Sequence, residues 1–197
     1  FVRDNIEALN RLAAKTGGTA LMVGFVGENY DRPGRDATNS VAFLHEGKTV
    51  ATRTKTLLPT YDVFDEDRYF EPARTVSPVD FRGVRLGVHI CEDLWNSADV
   101  RPRRLYHRDP IAELAEQGSQ LFINLSSSPY DRTKAEVRRR LVRHAARRHG
   151  RYFFYVNQVG GNDEHIFDGA STFFAADGRV VDRAKAFQED LLVVDTE

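Results

Sequence analysis

The sequence predicts an α/β fold in which a mixed sheet carries helices on its outer faces. Two observations lead there. Apolar runs of strand length alternate with amphipathic helical segments between residues 84 and 157, and hairpin-like pairs of short runs flank that stretch on both sides. A third bounds the size: 197 residues, 41% of them hydrophobic and 29% charged, suffice for one substantial core, so one domain spanning 1–197 is expected.

Asp4 and Glu7 have the spacing of a capping box, and Ile6, Leu9 and Ala13 recur at helical spacing until Gly17 and Gly18. Residues 19–26 read as a buried strand, 28–39 as a polar loop, and 41–45 with 49–54 as a hairpin turning at Glu46 and Gly47. From 55 to 78 periodicity vanishes, yet Leu57, Leu58, Tyr61, Val63, Phe64, Tyr69 and Phe70 argue for an ordered functional loop. Strand 84–90, a helix near 111–117 and strand 121–125 follow. Asp131 then caps a helix whose Val137, Leu141 and Ala145 share a face, and Gly150 ends it. Strands are expected at 152–157, 170–175, 179–184 and 191–194, with a turn at Asp177 and Gly178.

Composition excludes several classes. With 28 basic and 29 acidic residues the formal net charge is −1, so no global field recommends nucleic acid or an anionic membrane. The arginines at 132–151 read as the solvated side of an amphipathic helix rather than a nucleic-acid face. A single cysteine forms no internal disulfide, and no apolar run is long enough to span a bilayer, so a cytoplasmic protein is expected. The six histidines lack zinc spacing, so no metal is expected. Gly160, Gly161, Asn162 and Asp163 lack the flanking serines of a phosphate loop.

The lone cysteine is the sharpest feature. Cys91 stands where the strand 84–90 breaks into Glu92, Asp93, Leu94 and Trp95, and a thiol at such a strand-to-turn elbow is held toward reactants. Free cysteine also packs as a small buried hydrophobe, so position alone leaves both readings open. Three further stretches bear on the choice: Lys55 to Tyr61 continuing through Val63-Phe64-Asp65-Glu66 to Arg68-Tyr69-Phe70; Asn124-Leu125-Ser126-Ser127-Ser128-Pro129-Tyr130 with Lys134; and Tyr155-Val156-Asn157-Gln158-Val159-Gly160-Gly161-Asn162-Asp163-Glu164 through Gly169.

Together these stretches resemble the nitrilase, or carbon-nitrogen hydrolase, superfamily, most closely the glutaminase domain of glutamine-dependent NAD synthetases. The resemblance implies a nitrilase-like α-β-β-α sandwich. It implies that Cys91 is the nucleophile attacking the side-chain amide of glutamine, that Lys55 stabilises the oxyanion and departing amine, and that Glu66 lies beside the lysine. It further implies that Tyr61, Glu92, Ser128 and Lys134 hold the substrate L-glutamine. The family's general-base glutamate belongs to a segment preceding the helix that begins at Asp4. Because the chain opens Phe1-Val2-Arg3-Asp4, it is expected to be a truncated domain lacking the N-terminal strand-helix-strand segment and the base, and to be a poor enzyme alone.

As partner the resemblance implies a synthetase domain of the same polypeptide, absent here, which would bind ATP and nicotinate adenine dinucleotide; the glutaminase domain itself would need no cofactor and would form a homo-oligomer. Two alternatives stay open: a free-standing amidase of the same superfamily, and a non-catalytic structural remnant.

Overall fold

The computed structural model describes all residues except 32, 98–99, 101–103 and 197. They form two compact units, Phe1–Val76 and Ser77–Glu197. In the first, α1 (Val2–Ala13) is followed by β1 (Leu21–Glu28), β2 (Ala37–His45) and β3 (Lys48–Thr54), an antiparallel sheet in the order β1-β2-β3. Leu9 and Ala13 of α1 are buried with Ala42 and Leu44 of β2, and Val23 and Phe25 of β1 pack against them. Helix α1 begins before Asp4, which therefore lies in its first turn instead of capping. The expectation of a buried first strand also fails: β1 is an end strand whose one buried residue is Gly27, whereas central β2 holds the buried run 40–44. The predicted hairpin turn is present, with Glu46 at φ 47° and Gly47 at φ 76°, the left-handed pair that a two-residue connection requires.

The second unit contains β4 (Val79–Phe81), β5 (Val84–Ile90), α2 (Pro110–Glu116), β6 (Leu121–Ser126), α3 (Lys134–His149), β7 (Tyr152–Asn157), β8 (Val159–Asn162), β9 (His165–Asp168), β10 (Thr172–Phe174) and β11 (Val180–Arg183). Six of its strands make a mixed sheet ordered β11-β10-β7-β6-β5-β4, parallel through β5, β6 and β7 and antiparallel elsewhere, while β8 and β9 pair separately. Parallel neighbours need crossovers, and α2 and α3 provide them. Helix α2 starts at an Asp109 cap that accepts from the Ala112 N–H at 3.1 Å, with Pro110 as its first residue. Helix α3 ends at left-handed Gly150 as expected, but its N-cap is Thr133; Asp131 accepts instead from the Thr133 N–H (2.8 Å) and hydroxyl (2.6 Å). Residues 191–194 form no strand.

The core of this unit is aromatic. Phe122, Phe153, Phe173 and Phe174 are almost fully buried, and a Cβ on Gly87 would meet the Phe122 ring at 2.7 Å, so the close approach of β5 to that ring needs glycine. His89 of β5 is buried among them, edge-on to Phe122 (6.2 Å) and Phe153 (5.3 Å), with Nδ1 3.1 Å from the Gly87 carbonyl oxygen and Nε2 unpartnered among the described residues.

Burial depresses the His89 imidazole from its ordinary 6.5 to about 4, against a smaller opposing effect of the Gly87 hydrogen bond. Between those values the unfolded chain takes up a proton that the folded chain refuses. This contribution to stability is therefore complete above pH 6.5 and is lost as pH falls toward 4, by about 3 kcal/mol. Denaturant melts at pH 7 and pH 4.5 should show wild type losing more stability than His89→Phe; equal losses would exclude His89 as the source.

Candidate active site

The carboxyl ends of parallel strands, where ligands of open α/β sheets gather, place four of the expected residues in the second unit. Strand β5 ends at Ile90, and Cys91 opens a 3-10 turn, Cys91–Leu94, with φ at 41°. A non-glycine residue in this left-handed region is strained, and its neighbours hold it there. Asp93 accepts from the Ile90 N–H at 3.0 Å, the Trp95 N–H donates to the Glu92 carbonyl at 2.8 Å, and Asn124 of β6 reaches the Cys91 carbonyl at 3.5 Å. Glu92, Asp93, Leu94 and Trp95 are buried while Cys91 is only half-buried. The turn thus sinks its acidic neighbours and leaves Cys91 less buried than they are.

Ser128 follows β6 and is held through its backbone. Its N–H donates to Asn157 Oδ1 (3.0 Å) at the end of β7, and its carbonyl accepts from Arg138 of α3 (3.2 Å). Arg138 also pairs with Asp168 of β9, the two side chains being 5% and 3% exposed, and Asn157 Nδ2 donates to Asp168 Oδ1 (3.3 Å) and the Gly169 carbonyl (3.1 Å). Lys134, the first residue of α3, sets its ammonium 5.6 Å from the centre of the Trp95 ring, so it stands beside the turn that Cys91 opens. Tyr155 of β7 is buried close by. Burial raises its phenol well above the ordinary value; the Arg138 charge opposes this and a negative charge on Cys91 would add to it.

Lys55, Glu66 and Tyr61 belong to the first unit. Lys55 follows β3 and is 1% exposed, rare for lysine unless it is paired. Its ammonium meets Glu66 Oε1 at 2.5 Å, and Glu66 Oε2 accepts from Asn39 Nδ2 at 3.1 Å. The Lys55 backbone closes the base of the long loop, its N–H donating to the Asn39 carbonyl (2.8 Å) and its carbonyl accepting from Ala73 (2.9 Å). The aperiodic stretch is ordered, as expected. Tyr61 is half-buried, edge-on to Phe64 at 5.9 Å.

The first unit therefore joins Lys55 to Glu66; in the second, Lys134 lies by Trp95 at the end of the turn that Cys91 and Glu92 open, and Ser128 is held by Asn157 and Arg138. The sequence assigns no role to Asn39 and Arg138, nor to Asn124, Asn157 and Asp168 within the quoted stretches, yet these side chains make the contacts described above. For Asn124, Asn157 and Asp168 the available signal was a polar residue at or near the end of an apolar strand; Arg138, inside α3, carried no such signal. Among the described residues no three His, Cys, Asp or Glu side chains are grouped to hold a metal, and no helix is long and apolar enough to cross a membrane.

Breaking a buried ion pair from one side strands the other charge. Arg138→Met should lower unfolding stability by about 3–5 kcal/mol in denaturant melts, and Arg138→Met with Asp168→Leu should recover more than half of it.

The carbon-nitrogen hydrolase family model matches residues 4–197. A glutamine-dependent NAD(+) synthetase of Synechocystis sp. is 41% identical over 198 aligned residues, covering 98% of this chain and 36% of the relative. The solved glutamine-dependent NAD+ synthetase of Acinetobacter baumannii superposes with a TM-score of 0.83 at 30% identity, over 96% of this chain and 33% of that one. A carbon-nitrogen hydrolase from Helicobacter pylori shares the fold, with a TM-score of 0.77 at 19% identity over 95% of this chain and 65% of that one. This chain thus spans about a third of the NAD synthetases it matches. With the nitrilase-like α/β fold expected from its motifs, the chain belongs to the carbon-nitrogen hydrolase family.

Proposed function

We propose that this chain is a glutaminase domain that releases ammonia from L-glutamine for an ATP-dependent NAD synthetase. The observation that carries the reading is Cys91 held at φ 41° on the carboxyl end of a parallel strand, a strained placement that packing alone does not call for. Its likeness to glutamine-dependent NAD synthetases across 98% of its length supports the substrate.

In this reading the Cys91 sulfur attacks the side-chain amide carbon. The S–C bond forms as the C–N bond breaks, the thiol proton leaves with ammonia, and water then hydrolyses the thioester to glutamate and free thiol. By the resemblance Lys55 supplies positive charge to the oxyanion, its ammonium oriented by Glu66. Tyr61, Glu92, Ser128 and Lys134 receive the amino-acid end of the substrate, Lys134 facing its carboxylate. No cofactor enters these steps. The ammonia passes to a synthetase domain of the same polypeptide, in a homo-oligomer of the cytoplasm, where ATP and nicotinate adenine dinucleotide are used.

The test uses the full-length protein, because the resemblance puts the general base ahead of the helix containing Asp4. It should release ammonia from L-glutamine, Cys91→Ala should abolish the release, and a glutamine chloroketone should add to Cys91 in stoichiometric amount by mass spectrometry. Hydrolysis confined to other amides would favour a free-standing amidase. No hydrolysis and no labelling would leave a structural domain.

A further inference from the structure

We infer that Tyr106 is a positioning residue for Glu92, and that the loop holding it makes the site select an amide bearing an α-ammonium group over one without. This rests on the glutaminase reading above.

The observation is a saturated side chain. Asn96, 2% exposed, follows the Cys91 turn and directs its whole amide at one loop. Its Oδ1 accepts from the N–H groups of Leu105 and Tyr106, each at 3.2 Å, and its Nδ2 donates to the carbonyls of Tyr106 (2.8 Å) and Arg108. Two acceptor sites and two donors are the full capacity of an asparagine. The same loop is fastened at its far end, where the Arg108 guanidinium makes a two-point contact with Glu113 of α2, Nε to Oε1 at 2.9 Å.

The product of these anchors is one contact on the site. The Tyr106 hydroxyl donates to Glu92 Oε1 at 3.1 Å, and Glu92 is 3% exposed and adjoins the nucleophile in sequence. A carboxylate taken out of water needs donors to stay ionised and to keep one rotamer. The chemistry follows from its charge. A carboxylate held in one place next to the nucleophile in sequence attracts, in its ionised form, an ammonium group and offers nothing to an uncharged methylene. Tyr106 thereby sharpens recognition of the amino-acid end of the substrate without touching the bond that breaks.

Steady-state kinetics of the full-length protein on L-glutamine and on glutaramate, the same amide without the amino group, test this. Tyr106→Phe should raise the KM for glutamine about tenfold, the loss of one hydrogen bond to a charged group, with kcat altered less than twofold and the KM for glutaramate unmoved. Asn96→Ala should give the same split through loosening of the loop; if that variant does not fold, Tyr106→Phe decides alone. A wild type that prefers glutamine together with a Tyr106→Phe variant that keeps the whole preference, or that loses on both substrates equally, overturns the positioning role while leaving the glutaminase reading intact. A wild type that releases no ammonia from glutamine overturns both.

Discussion

The buried pair of Arg138 and Asp168 is the constraint on which the second unit hangs. It ties the first half of α3 to the end of β9, and through Asn157 and the Ser128 carbonyl it ties both to the ends of β6 and β7. Two ions removed from water are costly unless each keeps its partner and its remaining hydrogen bonds. Here each does: the guanidinium reaches a carbonyl as well as the carboxylate, and the carboxylate accepts from an amide as well as the guanidinium. A network that is unfavourable when half-formed enforces one arrangement of the strand ends.

The first unit solves a related problem with a single cation. Lys55 loses almost all contact with solvent, and its charge is balanced by Glu66, which a second donor, Asn39, keeps in place. Backbone hydrogen bonds on both sides of Lys55 close the loop from its base. Lys55 thus fastens the long loop through its main chain and its side chain together, alongside the Glu71 N–H to Ala37 carbonyl bond and the Arg35–Asp67 pair.

Much of this was legible in the sequence where burial repeats locally. Strands β5 and β7 begin and end at the expected residues because each is a short, mainly apolar run bounded by turn residues. Gly150 announced the end of α3 through its left-handed backbone. Helix starts were less legible: Asp4 and Asp131 have the composition of caps, but a short carboxylate also serves a first turn or a turn of its own, and both do so here. Residues 191–194 have the apolar character of a strand and no ladder, because pattern does not disclose a partner. The polar contacts around the site were illegible for the same reason, joining residues about thirty apart in Arg138–Asp168 and Asn157–Ser128. The near-complete burial of Lys55 was likewise not legible, because a lysine ending a strand has the composition of a solvated one.

The backbone of Cys91 has one more consequence. Glycine adopts a φ of 41° without the clash that a Cβ brings, a difference of about 1 kcal/mol. The residue that folds best at position 91 is therefore not the one that carries a thiol. A library of variants ranked only by thermal tolerance will enrich glycine there and discard the sulfur, so any attempt to harden this domain by stability screening has to hold position 91 outside the search.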